Sequence, residues 1–265
     1  MEVKEITEQL LNGVTNLFES DKYKEYLKFY GSFYKYSPYN TLLIYMQKPD
    51  ARLVAGFKAW QEKKRNVKKG EKSIKILAPI PRKYKVEVKQ EDGTVTEEEK
   101  MYMRYRAVSV FDISQTDGAD VPEISHKLTG NVEQFEQTKN NLIKIAPVPV
   151  KFSSFVGEAN GYYDGKNIVV KNGMSEQQTV KTLVHEIAHS MMHGEDGEAK
   201  DADRSTKELQ AESVAYIVCN HIGIDASDYT FGYIAGWSKE HDVKQLQQNL
   251  VLIGNTATKI IEAIA

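Results

Sequence analysis

The sequence predicts an α+β chain of two domains, and three observations carry that expectation. Apolar residues recur at helical spacing towards both ends, the period switches to two between Ile74 and Phe111, and the charge balance changes sign near the middle. Residues 1–127 hold 23 Lys/Arg against 19 Asp/Glu, a balance of +4, whereas residues 128–265 hold 12 against 18, a balance of −6. With 265 residues, 41% of them hydrophobic, the chain can bury a core without metal or disulfide staples. Disorder, a collagen-like repeat and a disulfide scaffold are excluded by the same composition. The one cysteine, Cys219, lies in an apolar run and reads as a core residue in a reducing compartment. No run is long and apolar enough to span a bilayer, and the start lacks the basic-then-apolar order of an export signal, so the expected address is the cytoplasm with no membrane partner.

The elements follow in order. Ile6, Leu10, Val14, Leu17 and Phe18 mark a helix over residues 3–19, and Tyr26, Leu27, Tyr30, Phe33 and Tyr34 mark a second. Ser37 and Pro38 supply an N-cap and a first-turn proline for a helix over 39–47, closed by Lys48-Pro49-Asp50. A short helix over 56–64 carries Phe57 and Trp60. Beyond Gly70, Ile74, Ile76 and Ala78 share one face of a strand that Pro79 and Pro81 are expected to stop. Tyr84 to Lys89 alternates strictly, Asp92-Gly93 offers a hairpin turn, and Tyr102 to Phe111 reads as the return, with Glu97 to Glu99 exposed between them. Residues 114–130 are the linker candidate, which sets the domains at 1–120 and 121–265.

The second half opens with a helix over 132–145 and a strand at 150–152. Gly161 to Val170 reads as two short strands about an Asp164-Gly165 turn, ended by Asn172-Gly173. Ser175 and Gln178 form a capping-box pattern for a helix that runs to His193 and stops at Gly194. A charged loop over 195–203 leads to a helix over 205–221, an irregular stretch over 225–237, and a last amphipathic helix from Val243.

The strongest chemical signal is His185-Glu186-Ile187-Ala188-His189 on the predicted helix. Two histidines four apart leave one helix face about 6 Å apart along the axis, close enough to grip one ion. Glu186 is placed to work on a metal-bound water as general base without occupying the metal. A catalytic site needs a third protein ligand, and Glu208 and Glu212, four apart on the next helix, are the candidates; spacing alone leaves open which binds and which orients a ligand histidine from behind. Exposed carboxylates at this spacing also decorate solvated helix faces. His193 lies about 12 Å along the axis from His185, too far for a three-histidine site, and is explained by capping and the helix dipole. Tyr216, His221, Tyr229, Tyr233 and His241 are the candidates for an oxyanion donor. Zinc is the expected ion, with another divalent metal as the alternative.

A second constellation is electrostatic. Arg52, Lys58, Lys63, Lys64, Arg65, Lys68, Lys69 and Lys72 crowd one stretch with Phe57 and Trp60. Cations that track phosphates beside ring faces that stack on bases are the ingredients of single-stranded DNA binding. The alternative is a solvated lysine face with both rings buried beneath it.

These residues also carry a resemblance. Tyr39-Asn40-Thr41-Leu42-Leu43, Gln47-Lys48-Pro49-Asp50-Ala51, Val54 to Trp60, Val67 to Lys72, Ile76 to Pro79 and Val110 to Thr116 are similar to the N-terminal domain of ArdC-type antirestriction proteins. Gly161-Tyr162-Tyr163, the His185 motif, Glu208 to Glu212 and Phe231 to Trp237 resemble the zincin-like metallopeptidase domain of the same family, a relative of the ImmA/IrrE peptidases. Residues 82–105 depart from the pattern and read as an insertion. The resemblance implies an N-terminal domain that binds single-stranded DNA joined to a mainly helical peptidase-like domain with a small sheet. It implies a protein of a mobile genetic element that protects DNA during conjugation. It also implies His185, His189 and Glu208 as metal ligands, Glu186 as catalytic residue and Glu212 behind a ligand histidine. The alternative function is a regulatory metallopeptidase that cleaves a specific repressor, so a protein substrate joins single-stranded DNA among the expected partners.

Overall fold

Helix-period spacing becomes helix where expected: α1 (Val3–Glu19), α2 (Lys22–Phe33) and α3 (Pro38–Gln47) open a computed structural model that describes residues 2–19, 22–89, 95–121, 132–154, 157–226, 228–229 and 231–264. The α+β class holds, with helices and, among the described residues, three small sheets. The chain divides into two units, Met1–Leu10 with Asp50–Asp120, and Leu11–Pro49 with Val121–Ala265. Residues 11–49, placed by sequence with the first domain, therefore group with the second half.

The first unit contains β1 (Val54–Gly56), α4 (Phe57–Glu62), β2 (Arg65–Val67), β3 (Ile74–Lys89), β4 (Val95–Asp112), a 3-10 turn (Ile113–Gln115) and β5 (Thr116–Gly118). One antiparallel sheet has the order β1-β4-β3, and β2 pairs with β5. Its core gathers Val54, Trp60, Ile74, Ile76 and Val110. Asp112, fully buried, ties the sheet to its neighbours: its carboxylate accepts the backbone N–H groups of Arg52 (2.7 Å), Leu53 (3.0 Å) and Ser114 (2.9 Å). Burial pulls this carboxyl upward, but those donors outweigh it and hold it below the usual range.

Pro79 and Pro81 do not stop the strand. β3 runs through both, paired in register as Pro79↔Tyr105 and Pro81↔Met103. The reason is position: β3 is an edge strand, and two prolines two residues apart turn their missing donors to the same open side. The expected Asp92-Gly93 turn and most of the 114–130 linker lie outside the described residues.

The second unit adds α5 (Val132–Ile145), β6 (Val150–Ser153), β7 (Gly161–Tyr163), β8 (Ile168–Lys171), α6 (Glu176–His193), α7 (Arg204–Ile222), α8 (Ile234–Lys239) and α9 (Val243–Ile264). The strand order is β6-β8-β7, with β6 parallel and β7 antiparallel to β8. Asp164 Oδ1 accepts from Lys166 N (2.8 Å) and Asn167 N (2.6 Å), which forms the turn between β7 and β8. α8 supplies regular structure in the stretch read as irregular. α6 is the central helix, with Val180, Leu183, Val184, Ile187, Ala188 and Met192 fully buried. It packs on β7 and β8, on α5, and on α7 and α9. The aromatic face of α2 packs on α7, where the hydroxyls of Tyr23 and Ser213 meet at 2.8 Å. Among the described residues no helix is long and apolar enough to cross a membrane.

Candidate metal centre

The site begins with the cap of α6. Ser175 Oγ accepts from Gln178 N (3.2 Å), satisfying a first-turn donor. The reciprocal half of the expected capping box is replaced, because the Gln178 amide turns forward to Thr182 Oγ1 (3.4 Å). The helix then presents His185 and His189 one turn apart, with their Nε2 atoms converging to 3.1 Å. α7 starts at its own cap, Asp203, whose carboxylate accepts from Thr206 N (2.9 Å), and brings Glu208 opposite the two imidazoles. Glu208 Oε2 lies 3.6 Å from His185 Nε2 and 3.5 Å from His189 Nε2.

These three atoms pass a simple test for a metal. Donors around a tetrahedral ion with bonds of ~2.0–2.2 Å stand ~3.3–3.5 Å apart, and a triangle with these edges has a point ~2 Å from every corner. Two imidazoles and a carboxylate form the donor set of an open, hydrolytic zinc site. The Glu208 side chain is 43% exposed, so the triangle faces solvent on its remaining side. The imidazoles of His185 and His189, at 3.6 and 3.5 Å, hold the Glu208 carboxyl well below its ordinary value. Burial pulls His185 down, yet Glu208 and the neighbouring carboxylates raise it overall.

Glu186 points elsewhere on the same helix. It is buried, and burial pushes its carboxyl up against the opposing pull of His185, His189 and a backbone hydrogen bond from Tyr163. With His185 it lines a cleft of ~180 Å³ whose other walls include Asn160, Gly161, Lys181 and Tyr229. Lys181 is held there by Asp228 (2.5 Å) and by the Tyr229 ring.

Glu212, expected behind a ligand histidine, lies one turn past Glu208, and its Oε2 accepts the Tyr233 hydroxyl (2.8 Å). One expectation about the surroundings needs correction. His193 is not a helix cap. Its Nδ1 meets His189 Nδ1 at 3.0 Å, and its Nε2 meets Gln210 Oε1 at 2.7 Å. Gln210 Nε2 donates to Asn249 Oδ1 (2.5 Å), and Asn249 Nδ2 donates to the Gln245 carbonyl (2.9 Å).

Donor bookkeeping along this chain sets every proton. The Gln245 carbonyl only accepts, so Asn249 turns its NH2 there and its oxygen to Gln210. Gln210 then accepts from His193 Nε2–H. His193 is pushed down by burial to about 4, so it is neutral, and its Nδ1 can only accept from His189 Nδ1–H. His189 is left with a bare Nε2 aimed at Glu208 and His185, the tautomer a metal requires. The i, i+4 spacing of His189 and His193 is visible in the sequence, but the partners on α7 and α9 are not.

Of the oxyanion candidates, Tyr229 lines the cleft. Tyr233 is engaged by Glu212, His221 contacts the Gly31 carbonyl (2.7 Å), His241 stacks on Trp237, and Tyr216 packs edge-on against Phe231.

The basic segment is sorted by the fold. Trp60 is not a stacking platform: it is 0% exposed, with its indole N–H donated to the Phe111 carbonyl (2.8 Å). Arg65 is engaged by Thr116 Oγ1 (2.7 Å), the Thr116 carbonyl (2.9 Å) and the carbonyls of Gly118 and Ala119. Lys68 donates to the Ser114 carbonyl (3.0 Å). Arg52, Lys58, Lys63, Lys64, Lys69 and Lys72 are exposed, as is Phe57 at 49%. Phe57, three residues before Trp60 on α4, thus offers the ring face that was expected of Trp60.

Fold and site together define a chain with a mixed α/β first half and a helical half built around an H-E-x-x-H helix. Residues 3–111 match the family described as the N-terminal domain of anti-restriction factor ArdC, and residues 143–242 match the IrrE N-terminal-like domain of the M78 peptidases. The chain is of the ArdC antirestriction type, with an ArdC N-terminal domain followed by an M78 peptidase-like domain. An uncharacterized protein of Bacillus anthracis is 28% identical over 99% of this chain and 51% of its own length, so the chain spans about half of that curated relative. Two crystal structures of the antirestriction protein ArdC from the R388 plasmid are also similar. The metal-free one has a TM-score of 0.48 and 21% identity and covers 86% of this chain and 82% of that one. The Mn(II)-bound one has a TM-score of 0.49 and 17% identity, covering 86% and 83%.

Proposed function

We propose that this chain is a cytoplasmic protein of a mobile genetic element that binds single-stranded DNA and carries a divalent-metal peptidase site, protecting DNA during its transfer. The single observation that supports the site most is the triangle of His185 Nε2, His189 Nε2 and Glu208 Oε2, whose edges suit zinc. When bound there, the ion supplies Lewis acidity that activates water and polarises a carbonyl. Glu186, buried beside the triangle, would serve as the general base, holding a proton on its carboxylate and returning it to a leaving nitrogen. Tyr229, on the wall of the same cleft, is the donor for the developing oxyanion. Glu212 with Tyr233 ties the middle of α7, one turn past Glu208, to the start of α8.

The DNA-binding side of the proposal rests on the exposed Arg52, Lys58, Lys63, Lys64, Lys69 and Lys72 with the half-exposed Phe57. Trp60 supports that surface from beneath, and Arg65 and the exposed Lys68 are braced by the carbonyls of residues 114–119. A second reading, cleavage of a specific repressor, is favoured by the cleft at Glu186 and uses the same residues on a protein substrate.

Elemental analysis beside a single-strand titration tests the proposal. Wild type is expected to hold one zinc or similar ion per chain, His185→Ala to lose it, and Glu186→Gln to keep it without turnover. Wild-type protein that contains and takes up no divalent ion sinks the metal site, and absent binding to a single strand at low salt sinks the DNA role.

A further inference from the structure

The β3–β4 ribbon has two chemically different faces. In antiparallel pairing, directly opposed residues share a face. The register places Ile74, Ile76 and Val110 together at the root, where they are buried. The same face then continues outward through four rungs: Ala78 with Arg106, Ile80 with Arg104, Arg82 with Tyr102, and Tyr84 with Lys100. Each rung carries one cation. Arg82, Lys100, Arg104 and Arg106 are all exposed, and neither 78–84 nor 100–106 contains an Asp or Glu. Tyr84 and Tyr102 are each 46% exposed and meet edge to face at 5.6 Å between ring centres. Rungs on one face repeat every ~6.8 Å, so the strip is ~20 Å long. It ends in register at Glu98, opposite Val86.

The opposite face is neutralised. There Lys83 pairs with Glu99 (2.9 Å) and Lys85 with Glu97 (2.6 Å), beside the exposed Met101, Met103 and Tyr105. One ribbon thus carries cations paired with carboxylates on one side and cations with tyrosines on the other. Charge complementarity selects a polyanion for the second side, and rings among its cations select unpaired bases over a duplex.

We propose that the face of the β3–β4 ribbon bearing Arg82, Tyr84, Lys100, Tyr102, Arg104 and Arg106 is a second single-stranded nucleic-acid surface, separate from the 52–72 segment. It rests on the single-strand reading above and extends it along the ribbon: phosphates follow the one-per-rung cations, and bases stack on Tyr84 and Tyr102.

The test is a salt titration of the full chain with an oligo-dT strand and a blunt duplex of equal length. Each phosphate contact contributes ~0.7 to the slope of log affinity against log salt on single strands. The quadruple variant Arg82→Gln, Lys100→Gln, Arg104→Gln, Arg106→Gln is expected to bind oligo-dT with a slope shallower by about 2–3. Lys83→Gln with Lys85→Gln, on the paired face, is expected to keep the wild-type slope within about 1 unit. Tyr84→Ala with Tyr102→Ala is expected to cost about tenfold or more in affinity with the slope unchanged. These side chains are exposed, and an unchanged circular-dichroism melt checks that each variant folds. A quadruple variant with the wild-type slope, or a paired-face variant that loses as much, overturns the ribbon surface while leaving the single-strand reading intact. Equal affinity for the blunt duplex overturns the base-stacking assignment. Wild type that binds no strand at low salt overturns both proposals together.

Discussion

At the scale of single residues, the site turns on which nitrogen of His189 carries the proton. An imidazole left free to choose divides between tautomers, and one of them presents N–H to the place where a cation would sit. The chain from the Gln245 carbonyl through Asn249, Gln210 and His193 removes that choice, since each member has one way to satisfy its neighbour. Gln210 is its hinge, buried and spending oxygen and nitrogen in opposite directions. Gln210→Leu keeps the volume and removes both bonds, so His193 and His189 become free to exchange tautomers. Zinc affinity is expected to fall ~10–100-fold, as when other buttresses of metal-bound histidines are lost. In the metal-free protein the 15N shifts of His189 should move from a bare Nε2 towards a mixture. A leucine variant that binds zinc like wild type would show that the relay has no part in holding the ligand.

At the scale of elements, the cleft exists because β7 lies directly against α6. Gly161 permits that approach: a Cβ there would stand 2.6 Å from Thr182 Cγ2 and 2.9 Å from the Val169 carbonyl oxygen. Gly161→Ala is expected to push β7 off the helix, costing about 1–3 kcal/mol in urea unfolding and raising hydrogen exchange across 161–163. Gly236→Ala in α8, where an added methyl meets nothing within 4 Å, serves as the control and should be neutral or stabilising. Wild-type stability of Gly161→Ala would mean that β7 and α6 have slack. α6 was legible from sequence because its cap at Ser175 and the H-E-x-x-H spacing are local; α7 was placed to within a residue of each end, but its cap at Asp203 emerges only in the fold. What was not legible depends on neighbours remote in the chain. The prolines of β3 are tolerated because that strand is at an edge, and edge position is a property of the sheet. Trp60 and Phe57 look alike on a six-residue helix, and only the Phe111 carbonyl decides which ring is buried. Glu212 and Gln210 differ in role because Tyr233 and His193 happen to face them.

At the scale of the whole molecule, the two chemistries draw on separate sets of residues. The proposed metal donors and their relay lie between residues 185 and 249, within the second unit, and the cations and rings proposed for a strand lie between 52 and 106, within the first. Coupling between sites needs an element with two arrangements that both ligands bias, and these sets share no helix or strand. Linkage makes the argument testable from either end, because any factor by which metal strengthens strand binding must equal the factor by which a strand strengthens metal binding. The expected factor is near one. His185→Ala and chelator-treated protein should therefore bind oligo-dT within about twofold of wild type with the same salt slope, and the ribbon variant should take up zinc like wild type. A tenfold loss of strand affinity on removing the metal would correspond to about 1.4 kcal/mol of coupling. That result would mean the peptidase-like half reports its metal state to the strand-binding half, and the two chemistries would then have to be treated as one switch.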